Sequence, residues 1–420
     1  MKIRFIYPRF EKLLESRSIL KEISDKANLG NFKMPPALGI PILSALTPDK
    51  HECVVFDENI EEIDYNDDSD LIALSFFTPQ ANFAFEIAKK FKAKGKTVIA
   101  GGMHPSLMPD EVAKYFDSVC VGEVETVWTT MLDDFEKGAL KQFYFGNNPD
   151  MKHMPIPNRN IFKNKDGYDW EATLVQTMRG CAYNCEGCIL PAQTGKKYRF
   201  RPVENIIADI KTLKDPDFYL TDDSLFLNNR YCKKHLFNLL EETAKLNPLP
   251  KMFVSGSLYI KDDPDYLKRL VDGGVVNLYL VTGSDPISTK AFNKGEKAYF
   301  QMAVDTVQKY RDVGINVFLS QGLGFDFQDE SVFDTSLEFC EKAKIDAAEF
   351  YLLTPFPQTH AWHRFREEKR ILHYNWTKYN TANVVFKPKN FTEKSLLDGY
   401  LYCWKEFYKD NLVEDTLDIF

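Results

Sequence analysis

The segment that decides the fold is Gln176-Thr177-Met178-Arg179-Gly180-Cys181-Ala182-Tyr183-Asn184-Cys185-Glu186-Gly187-Cys188. It places three of the eight cysteines within eight residues, in the pattern Cys-x3-Cys-x2-Cys, directly after an apolar run that predicts a strand. Three thiolates on one loop can hold three irons of a [4Fe-4S] cluster, because soft sulfur ligands suit iron–sulfur chemistry. No further cysteine follows nearby, so the remaining iron would stay open to a small ligand. The segment therefore predicts a metal site at Cys181, Cys185 and Cys188 that performs chemistry.

A zinc site is the alternative interpretation of these cysteines. Zinc in a structural site normally has four closed ligands. The nearest histidine in sequence, His153, lies more than twenty residues upstream of Cys181. The spacing therefore favours an iron–sulfur cluster.

The same segment resembles the radical S-adenosylmethionine (SAM) superfamily. In that family the amino and carboxyl groups of SAM occupy the open iron, and an electron from the cluster cleaves SAM to a 5′-deoxyadenosyl radical. The resemblance implies SAM as a cofactor and an external electron donor such as a ferredoxin or flavodoxin. Gly187 departs from the family, which usually has an aromatic residue before the third cysteine, so the packing beside the adenine is expected to differ.

The composition is that of an ordinary globular protein, with 44% hydrophobic and 27% charged residues. The length of 420 residues allows about two or three domains. The net charge of −8 argues against a nucleic-acid partner, whose binding depends on neutralising phosphates. No run of about 18 apolar residues predicts a transmembrane segment, and the N-terminus lacks a signal-peptide pattern. The other five cysteines have apolar neighbours and are interpreted as free core thiols, which indicates a cytoplasmic protein.

Residues 1–140 alternate short apolar runs with helical patterns. This alternation predicts an α/β domain with a Rossmann-like, doubly wound parallel sheet. The expected strands are residues 3–7, 53–56, 71–76, 97–100 and 118–121. Such a sheet binds ligands at the carboxyl ends of its strands, where the loops 75–80, 101–106 and 122–125 would lie.

These three loops are either good turns or a ligand site. Together with residues 35–39 they resemble the cobalamin-binding domain that precedes many radical SAM cores. The resemblance implies that the following residues bind cobalamin: Ser75, Thr78, Gln80, Gly101, Gly102, Met103, His104, Gly122, Glu123, Val124 and Glu125. Val124 stands where the family usually has a small residue.

The axial ligand of cobalamin is the second departure. Many cobalamin domains carry Asp-x-His-x-x-Gly after the first strand, and here that place reads Pro8-Arg9-Phe10-Glu11. His51 follows Asp49 and Lys50 but precedes the second strand, so it is interpreted as a surface residue. His104 is interpreted as a pocket or turn residue. We therefore expect base-off cobalamin without a histidine ligand.

Residues 171–360 repeat a strand–loop–helix pattern six times, which predicts a partial (β/α)6 TIM barrel with its site at the carboxyl ends of the strands. The expected strands are residues 173–177, 217–221, 252–255, 276–282, 316–321 and 347–353. Residues 141–170 contain several prolines and are expected to be an extended connector. Residues 361–420 form a helical, aromatic-rich segment that resembles the C-terminal region of hopanoid-methylase-like and bacteriochlorophyll-cyclase-like proteins. We expect it to cap the barrel mouth.

Polar residues at the strand ends stand where the family contacts SAM. Asp222 and Asp223 occupy the place of the run that meets the methionine ammonium, although Asp223 or Ser224 could instead cap a helix. Ser255 and Ser257 follow the third strand and would reach the SAM carboxylate or the substrate. The residues that the resemblance implies as SAM contacts are Tyr183, Asp222, Asp223, Ser255, Ser284, Gln321, Leu353 and Thr354, with Asp285 as a further candidate.

The leading functional hypothesis is a cobalamin-dependent radical SAM methyltransferase that acts on an unactivated carbon. The alternative is a radical SAM enzyme that catalyses cyclisation, coupling or rearrangement and uses cobalamin differently or not at all. A non-catalytic corrinoid or iron–sulfur carrier is a third class. The aromatic C-terminal segment suggests a small apolar substrate such as a lipid, isoprenoid or tetrapyrrole. Arg199 and Arg201 would either bind an anionic group or form salt bridges with the N-terminal domain.

Overall fold

A computed structural model describes residues 1–11, 13–26, 38–162, 173–223, 229–256, 258, 264–283, 286–292 and 297–410. Its strands are β1 Lys2–Tyr7, β2 Glu52–Asp57, β3 Leu71–Ser75, β4 Thr97–Gly101, β5 Ser118–Gly122, β6 Phe143–Gly146, β7 Thr173–Val175, β8 Met178–Arg179, β9 Arg199–Phe200, β10 Phe218–Leu220, β11 Met252–Ser255, β12 Val275–Thr282, β13 Asn316–Leu323 and β14 Ala347–Leu352. Its helices are α1 Ser18–Lys26, α2 Gly39–Leu46, α3 Ala81–Ala93, α4 Met103–Leu107, α5 Pro109–Val112, α6 Trp128–Glu136, α7 Leu190–Gln193, α8 Val203–Ile210, α9 Arg230–Thr243, α10 Pro264–Asp272, α11 Pro286–Ala291, α12 Lys297–Asp312, α13 Ser331–Ala343, α14 His360–Glu367 and α15 Glu393–Phe407.

The first sheet has six parallel strands in the order β2-β1-β3-β4-β5-β6. Two separate apolar clusters cover its two faces, one with α3 and the other with α2 and α6. Strands buried on both faces read as continuous apolar runs, which explains the sequence Leu-Ile-Ala-Leu of β3. The strand order reverses between β1 and β3, and ligands bind outside the carboxyl ends of strands at such a point. The predicted doubly wound sheet is confirmed.

Strand β6 was not predicted from the sequence. It comprises only Phe143–Gly146 and pairs with β5 at the edge of the first sheet. Phe145 is 66% exposed, so the strand lacks the buried apolar run of its neighbours. The first sheet therefore continues beyond residue 140, into the segment that was expected to be a connector.

The second sheet also has six parallel strands, in the sequential order β14-β13-β12-β11-β10-β7. Its outer face packs against the helices that follow the strands, in one large apolar cluster. Its other face curves inward. The rings of Phe253 on β11 and Phe318 on β13 lie 6.5 Å apart, although strands two positions apart are separated by about 9.5 Å. The predicted partial (β/α)6 barrel is confirmed, and we call this concave side the inner face.

The C-terminal helix α15 lies along the open edge of the second sheet. Edge strands leave backbone groups unpaired, and here side chains satisfy them on β14. Tyr408 donates its hydroxyl to the carbonyl oxygen of Ala348 at 2.6 Å, and the indole of Trp404 donates to that of Phe350 at 3.1 Å. This part of the aromatic segment therefore seals the sheet edge, and the expected cap over the barrel mouth stays a prediction.

Other aromatic residues of that segment pack against the first sheet. Trp362, Trp376 and Tyr379 belong to the apolar cluster of the first sheet. The indole of Trp376 also donates to Glu111 at 3.1 Å. No helix in the described part of the chain is long and apolar enough to cross a membrane.

Candidate functional site

The cluster loop, residues 181–188, is held by a short hairpin that the sequence did not predict. Strands β8 and β9 pair in antiparallel fashion on either side of the loop. The backbone N–H of Cys181 donates to the carbonyl oxygen of Gly195 at 3.2 Å. Gly180 has a φ of +93°, and a Cβ there would lie 2.2 Å from the carbonyl oxygen of Lys197. Only glycine fits this position.

The three cysteines of the cluster loop differ in their exposure. Cys181 is 8% exposed, whereas Cys185 and Cys188 are partly exposed. Burial, with smaller contributions from the neighbouring Cys185 and Cys181, raises the pKa of the Cys188 thiol to about 12. Among the described residues no three metal-ligating side chains already converge on a single point. The donor set nevertheless fits a cluster, because three thiols share one loop and coordination itself displaces their protons.

Asp222 and Asp223 tie the end of β10 to the cluster loop. Asp222 accepts from the backbone N–H groups of Thr177 at 2.6 Å and Met178 at 2.9 Å, and also from the Thr177 hydroxyl. Burial raises the pKa of Asp222 to about 7. Asp223 accepts from the backbone N–H of Gly180 at 2.6 Å and from the hydroxyl of Thr194 at 2.8 Å. Both carboxylates were expected near the SAM ammonium, and both position the cluster loop.

Leu353 occupies the space beside Gly187. A Cβ at Gly187 would lie 3.1 Å from the Leu353 side chain. This contact places the end of β14 beside the cluster loop. It also offers a physical reason for the departure noted at Gly187, since Leu353 fills space that a side chain at position 187 would need.

The other residues expected to contact SAM differ in how exposed their side chains are. Tyr183 is 40% exposed on the cluster loop. Ser255 is partly exposed at the end of β11, and Thr354 is 3% exposed. Gln321 is fully buried and accepts from the Thr282 hydroxyl at 2.6 Å, so the structure does not bring it to the inner face. Four residues considered at the strand ends lie outside the described residues, namely Ser224, Ser257, Ser284 and Asp285, and so do residues 35–37 of the range 35–39.

A cavity of about 260 Å³ lies at the carboxyl ends of β3, β4 and β5. Nine residues expected to bind a cofactor line it: Ser75, Gly101, Gly102, Met103, Gly122, Glu123, Val124, Glu125 and Asp223. Its floor is apolar and includes Leu43, Ile99, Trp128 and Met131. Its remaining wall comes from the chain around the cluster loop: Gln176, Arg179, Leu190, Gln193 and Thr194. The loops of the first sheet and the surroundings of the cluster loop therefore share one cavity.

Gly102 lets two of the loops at this cavity pack closely together. It has a φ of +97°, and a Cβ there would lie 2.9 Å from the backbone nitrogen of Phe76 and 3.0 Å from the Ser75 hydroxyl. A side chain would therefore force apart the loops that follow β3 and β4. The glycine is therefore needed for the close packing of these two loops, and its contact with cobalamin stays a prediction.

Three of the expected cobalamin contacts do not line the cavity. Gln80 is 1% exposed and receives a hydrogen bond from the backbone N–H of Phe77 at 2.8 Å. Thr78 is 2% exposed and lies 3.2 Å from Nδ1 of His104, which is fully buried. Burial lowers the pKa of His104 to about 3. These side chains stabilise the loops from below, where ring contacts with Phe76 and Trp376 surround His104.

An ion-pair network, which the sequence analysis left as one of two alternatives for Arg199, closes one side of the cavity. Arg179 donates to Glu125 at 2.7 Å and also to Glu123, while Arg199 donates to Glu123 at 3.0 Å. The four side chains are between 6% and 11% exposed. Burial alone would lower the pKa of Arg179, but Glu125 and Glu123 raise it above its ordinary value. Arg201 instead pairs with Asp209 at 2.6 Å.

Arg179 was not predicted from the sequence to be a site residue. Its position directly before Gly180 and Cys181, in the stretch that decides the fold, was the available signal. A buried arginine requires carboxylate partners. Of the three expected loops of the first sheet, only the loop 122–125 contains carboxylates.

Several known proteins are similar to this chain. Residues 175–340 match the family model described as the Radical SAM superfamily. The chain is 30% identical over 398 residues to bacteriochlorophyllide d C-8(2)-methyltransferase of Chlorobaculum tepidum. The match covers 88% of this chain and 86% of that protein. It is 22% identical to the anaerobic magnesium-protoporphyrin IX monomethyl ester cyclase of Cereibacter sphaeroides, covering 81% of this chain and 60% of that protein.

A solved structure shares the fold. It is the radical S-adenosylmethionine methyltransferase TsrM from Kitasatospora setae, with cobalamin and a [4Fe-4S] cluster bound. The match covers 87% of this chain and 75% of that chain, with a TM-score of 0.63 and 13% sequence identity.

Proposed function

The chain belongs to the radical SAM superfamily, and we propose that it is a cobalamin-dependent methyltransferase that acts on an unactivated carbon. The observation that carries the proposal is the single cavity between the first sheet and the cluster loop. A carbon radical must meet its methyl donor where it forms, within about 3–4 Å, because proximity decides such a transfer. A cavity shared by both regions suits this requirement.

The residues present suit the proposed cofactors. The three cysteines of the cluster loop would hold the [4Fe-4S] cluster, and Asp223 would face the SAM ammonium. Cobalamin would lie on the loops 101–103 and 122–125, with Ser75 as a hydroxyl partner. Bound together, these groups supply a radical that removes hydrogen and a methyl group that replaces it. The chain itself holds the cluster loop in place and, through its buried ion pairs, keeps water from one side of the cavity.

We further propose that cobalamin binds base-off and without a histidine ligand. None of the described residues lining the cavity is a histidine. His104 is fully buried with Thr78, and His51 lies near the N-terminal amino group, 3.4 Å away, at the opposite end of the sheet. The paramagnetic resonance spectrum of bound cob(II)alamin should lack splitting from an axial nitrogen. Clear nitrogen splitting would contradict the proposal.

For the substrate we propose a small, largely apolar molecule, with a tetrapyrrole as the first candidate. The support is the relative whose name specifies bacteriochlorophyllide d. The aromatic side chains of the inner face are consistent with an apolar body. Bacteriochlorophyllide d is therefore the first probe to use.

The test uses the full chain, reconstituted anaerobically with iron, sulfide and hydroxocobalamin and then reduced. With trideuteromethyl-SAM and bacteriochlorophyllide d we expect corrinoid absorbance, 5′-deoxyadenosine and a product that carries the deuterated methyl group. Cys188→Ala should form no 5′-deoxyadenosine, whereas Cys53→Ala, a thiol distant from the cluster loop, should behave like the natural chain. A reconstituted chain that neither binds corrinoid nor cleaves SAM would contradict the proposal.

Ring formation is the second candidate function. It is supported by the cyclase relative, which covers 81% of this chain. The same assay separates the two, because a cyclase forms 5′-deoxyadenosine but leaves no deuterium from SAM in the product.

A further inference from the structure

The inner face of the second sheet carries a carboxylate that the proposed cofactors do not use. Glu349 lies on β14, and its Oε1 accepts hydrogen bonds from the hydroxyl of Ser320 on β13 at 2.6 Å and from the hydroxyl of Tyr279 on β12. The second bond spans two strand positions, so Glu349 points into the concavity. Ser320 is 2% exposed, whereas Tyr279 and Glu349 are partly exposed.

The hydroxyls around Glu349 fix it as an acceptor. Burial and the adjacent Glu349 raise the pKa of Tyr279 well above its ordinary value, so this phenol keeps its proton. Among the described residues no lysine, arginine or histidine forms an ion pair with Glu349. Buried carboxylates are normally paired with a cation or a strong donor. The inner face therefore has acceptor capacity that two neutral hydroxyls satisfy only in part.

Aromatic rings surround this carboxylate. The ring of Tyr279 lies 5.5 Å from that of Phe318 and 6.1 Å from that of Phe253, which in turn lies 4.9 Å from Tyr219. Further along β12, Val281 is 46% exposed, so the inner face remains open toward the carboxyl ends of the strands. An apolar wall with one polar group that fixes orientation is the usual composition of a small-molecule site.

Glu349 lies on the strand whose carboxyl end adjoins the cluster loop. Leu353, which packs beside Gly187, is four residues further along the same strand direction. At about 3.3 Å per residue the two are separated by about 13 Å. A molecule of moderate size could therefore touch Glu349 at one end and present another atom near the cluster loop.

We propose that the inner face binds the substrate and that Glu349 selects a substrate whose inserted end is a hydrogen-bond donor, a hydroxyl or an ammonium, and not a carboxylate. The inference rests on the proposed function only in naming this ligand as the substrate. A donor would replace water at the Glu349 carboxylate and form a charge-assisted hydrogen bond. A carboxylate at the same place would meet like charge.

Three probes with one apolar body test the selection: 3-phenylpropylamine, 3-phenylpropan-1-ol and 3-phenylpropanoate. Their dissociation constants for the full chain are measured by ligand-observed NMR without SAM or cobalamin. We expect the amine to bind about tenfold or more tighter than the carboxylate, because hydrogen bonds to charged groups are the strong ones. The alcohol should lie between them.

Substitutions assign the effect to Glu349. Glu349→Gln should weaken amine binding about tenfold and leave the carboxylate unchanged or improved. Glu338→Gln removes the same charge from the exposed face of α13 and should change neither. Tyr279→Phe keeps the charge of Glu349 and should retain the preference for the amine.

Several results would overturn the inference. These are equal binding of amine and carboxylate by the natural chain, no binding of any probe, or an equal loss in Glu349→Gln and Glu338→Gln. A loss in Tyr279→Phe as large as that in Glu349→Gln would show a collapsed inner face and would also refute the role of Glu349. The measurement needs no cofactor. Failure to form 5′-deoxyadenosine would therefore contradict the proposed function without changing this result.

Discussion

Replacing Arg179 by methionine should destabilise the protein much more than removing a cation from its surface. Arg179 is 10% exposed and is hydrogen-bonded to Glu123 and Glu125, which are 6% and 8% exposed. In Arg179→Met, Glu123 keeps Arg199 as a partner. Glu125 loses its ion pair and remains a buried carboxylate. The cost arises mainly from this uncompensated charge.

The magnitude follows from burial. Breaking a buried ion pair by removing one partner costs about 3–5 kcal/mol. Removing the cation of an exposed pair costs about 0.2–1 kcal/mol, and the pair of Lys342 with Glu338, at 53% and 52% exposure, provides that control. The double variant Arg179→Met/Glu125→Gln removes both charges, so it should recover at least about 1 kcal/mol relative to Arg179→Met.

Urea unfolding followed by tryptophan fluorescence measures these differences at low and high salt. The loss in Arg179→Met should persist at high ionic strength, since buried pairs are screened much less than exposed ones. The smaller loss in Lys342→Met should shrink. The reasoning would be refuted if the two single variants lost the same stability, or if the double variant were no more stable than Arg179→Met.

Three further predictions concern the cluster loop and the buried histidine. Replacing all three cluster-loop cysteines by alanine should abolish iron and sulfide incorporation on anaerobic reconstitution, whereas Cys53→Ala should retain about four irons per chain; iron retained by the triple variant would contradict the cluster assignment. Gly180→Ala should lower iron incorporation and should lower the free energy of unfolding by more than about 1–3 kcal/mol. The control Gly138→Ala, at a φ of +66° with no atom within 4 Å, should lower it by about 1–2 kcal/mol and leave iron incorporation unchanged. Equal effects of the two substitutions would refute the steric argument. The pKa of His104 is lowered from 6.5 to about 3, so between these pH values the unfolded chain binds a proton that the folded chain does not; the contribution of His104 to stability is therefore complete above pH 6.5 and is lost as the pH falls. Urea unfolding at pH 5 and pH 7.5 should show this loss, which is at most about 5 kcal/mol in full. The loss should be smaller in His104→Phe but unchanged in the exposed His363→Phe.

The strands and the long helices could be predicted because their signals are local. A run such as Leu-Ile-Ala-Leu in β3 reads as a strand buried on both faces. The helix expected after it is found at Ala81–Ala93, with its buried residues spaced three and four apart. The short strands β6, β8 and β9 carry no such run, because β8 and β9 have two residues each and β6 exposes Phe145.

Contacts between distant residues could not be predicted in the same way. The pairing of Arg179 with Glu123 spans 56 positions and depends on how the two sheets face each other. The sequence Ala-Ala-Glu-Phe-Tyr-Leu of β14 alternates, but alternation alone does not tell which face is concave. Glu349 was therefore not recognised as an inner-face residue. For the same reason the positions of Thr78 and His104 were not predicted. Both belong to loops expected at the ligand-binding edge of the first sheet, but both side chains are buried.

The structure distinguishes the two aspartates after β10, both of which were expected to contact SAM. A carboxylate offers about four acceptor positions. Asp222 uses three of them on Thr177 and Met178 and does not line the cavity. Asp223 uses two and does line it. Only Asp223 combines remaining acceptor capacity with access to the cavity, so it is the carboxylate we expect to meet an ammonium group. Asp222 then serves to hold the strand that leads into the cluster loop, whereas Asp223 holds the loop at Gly180 and also keeps acceptor capacity for a ligand.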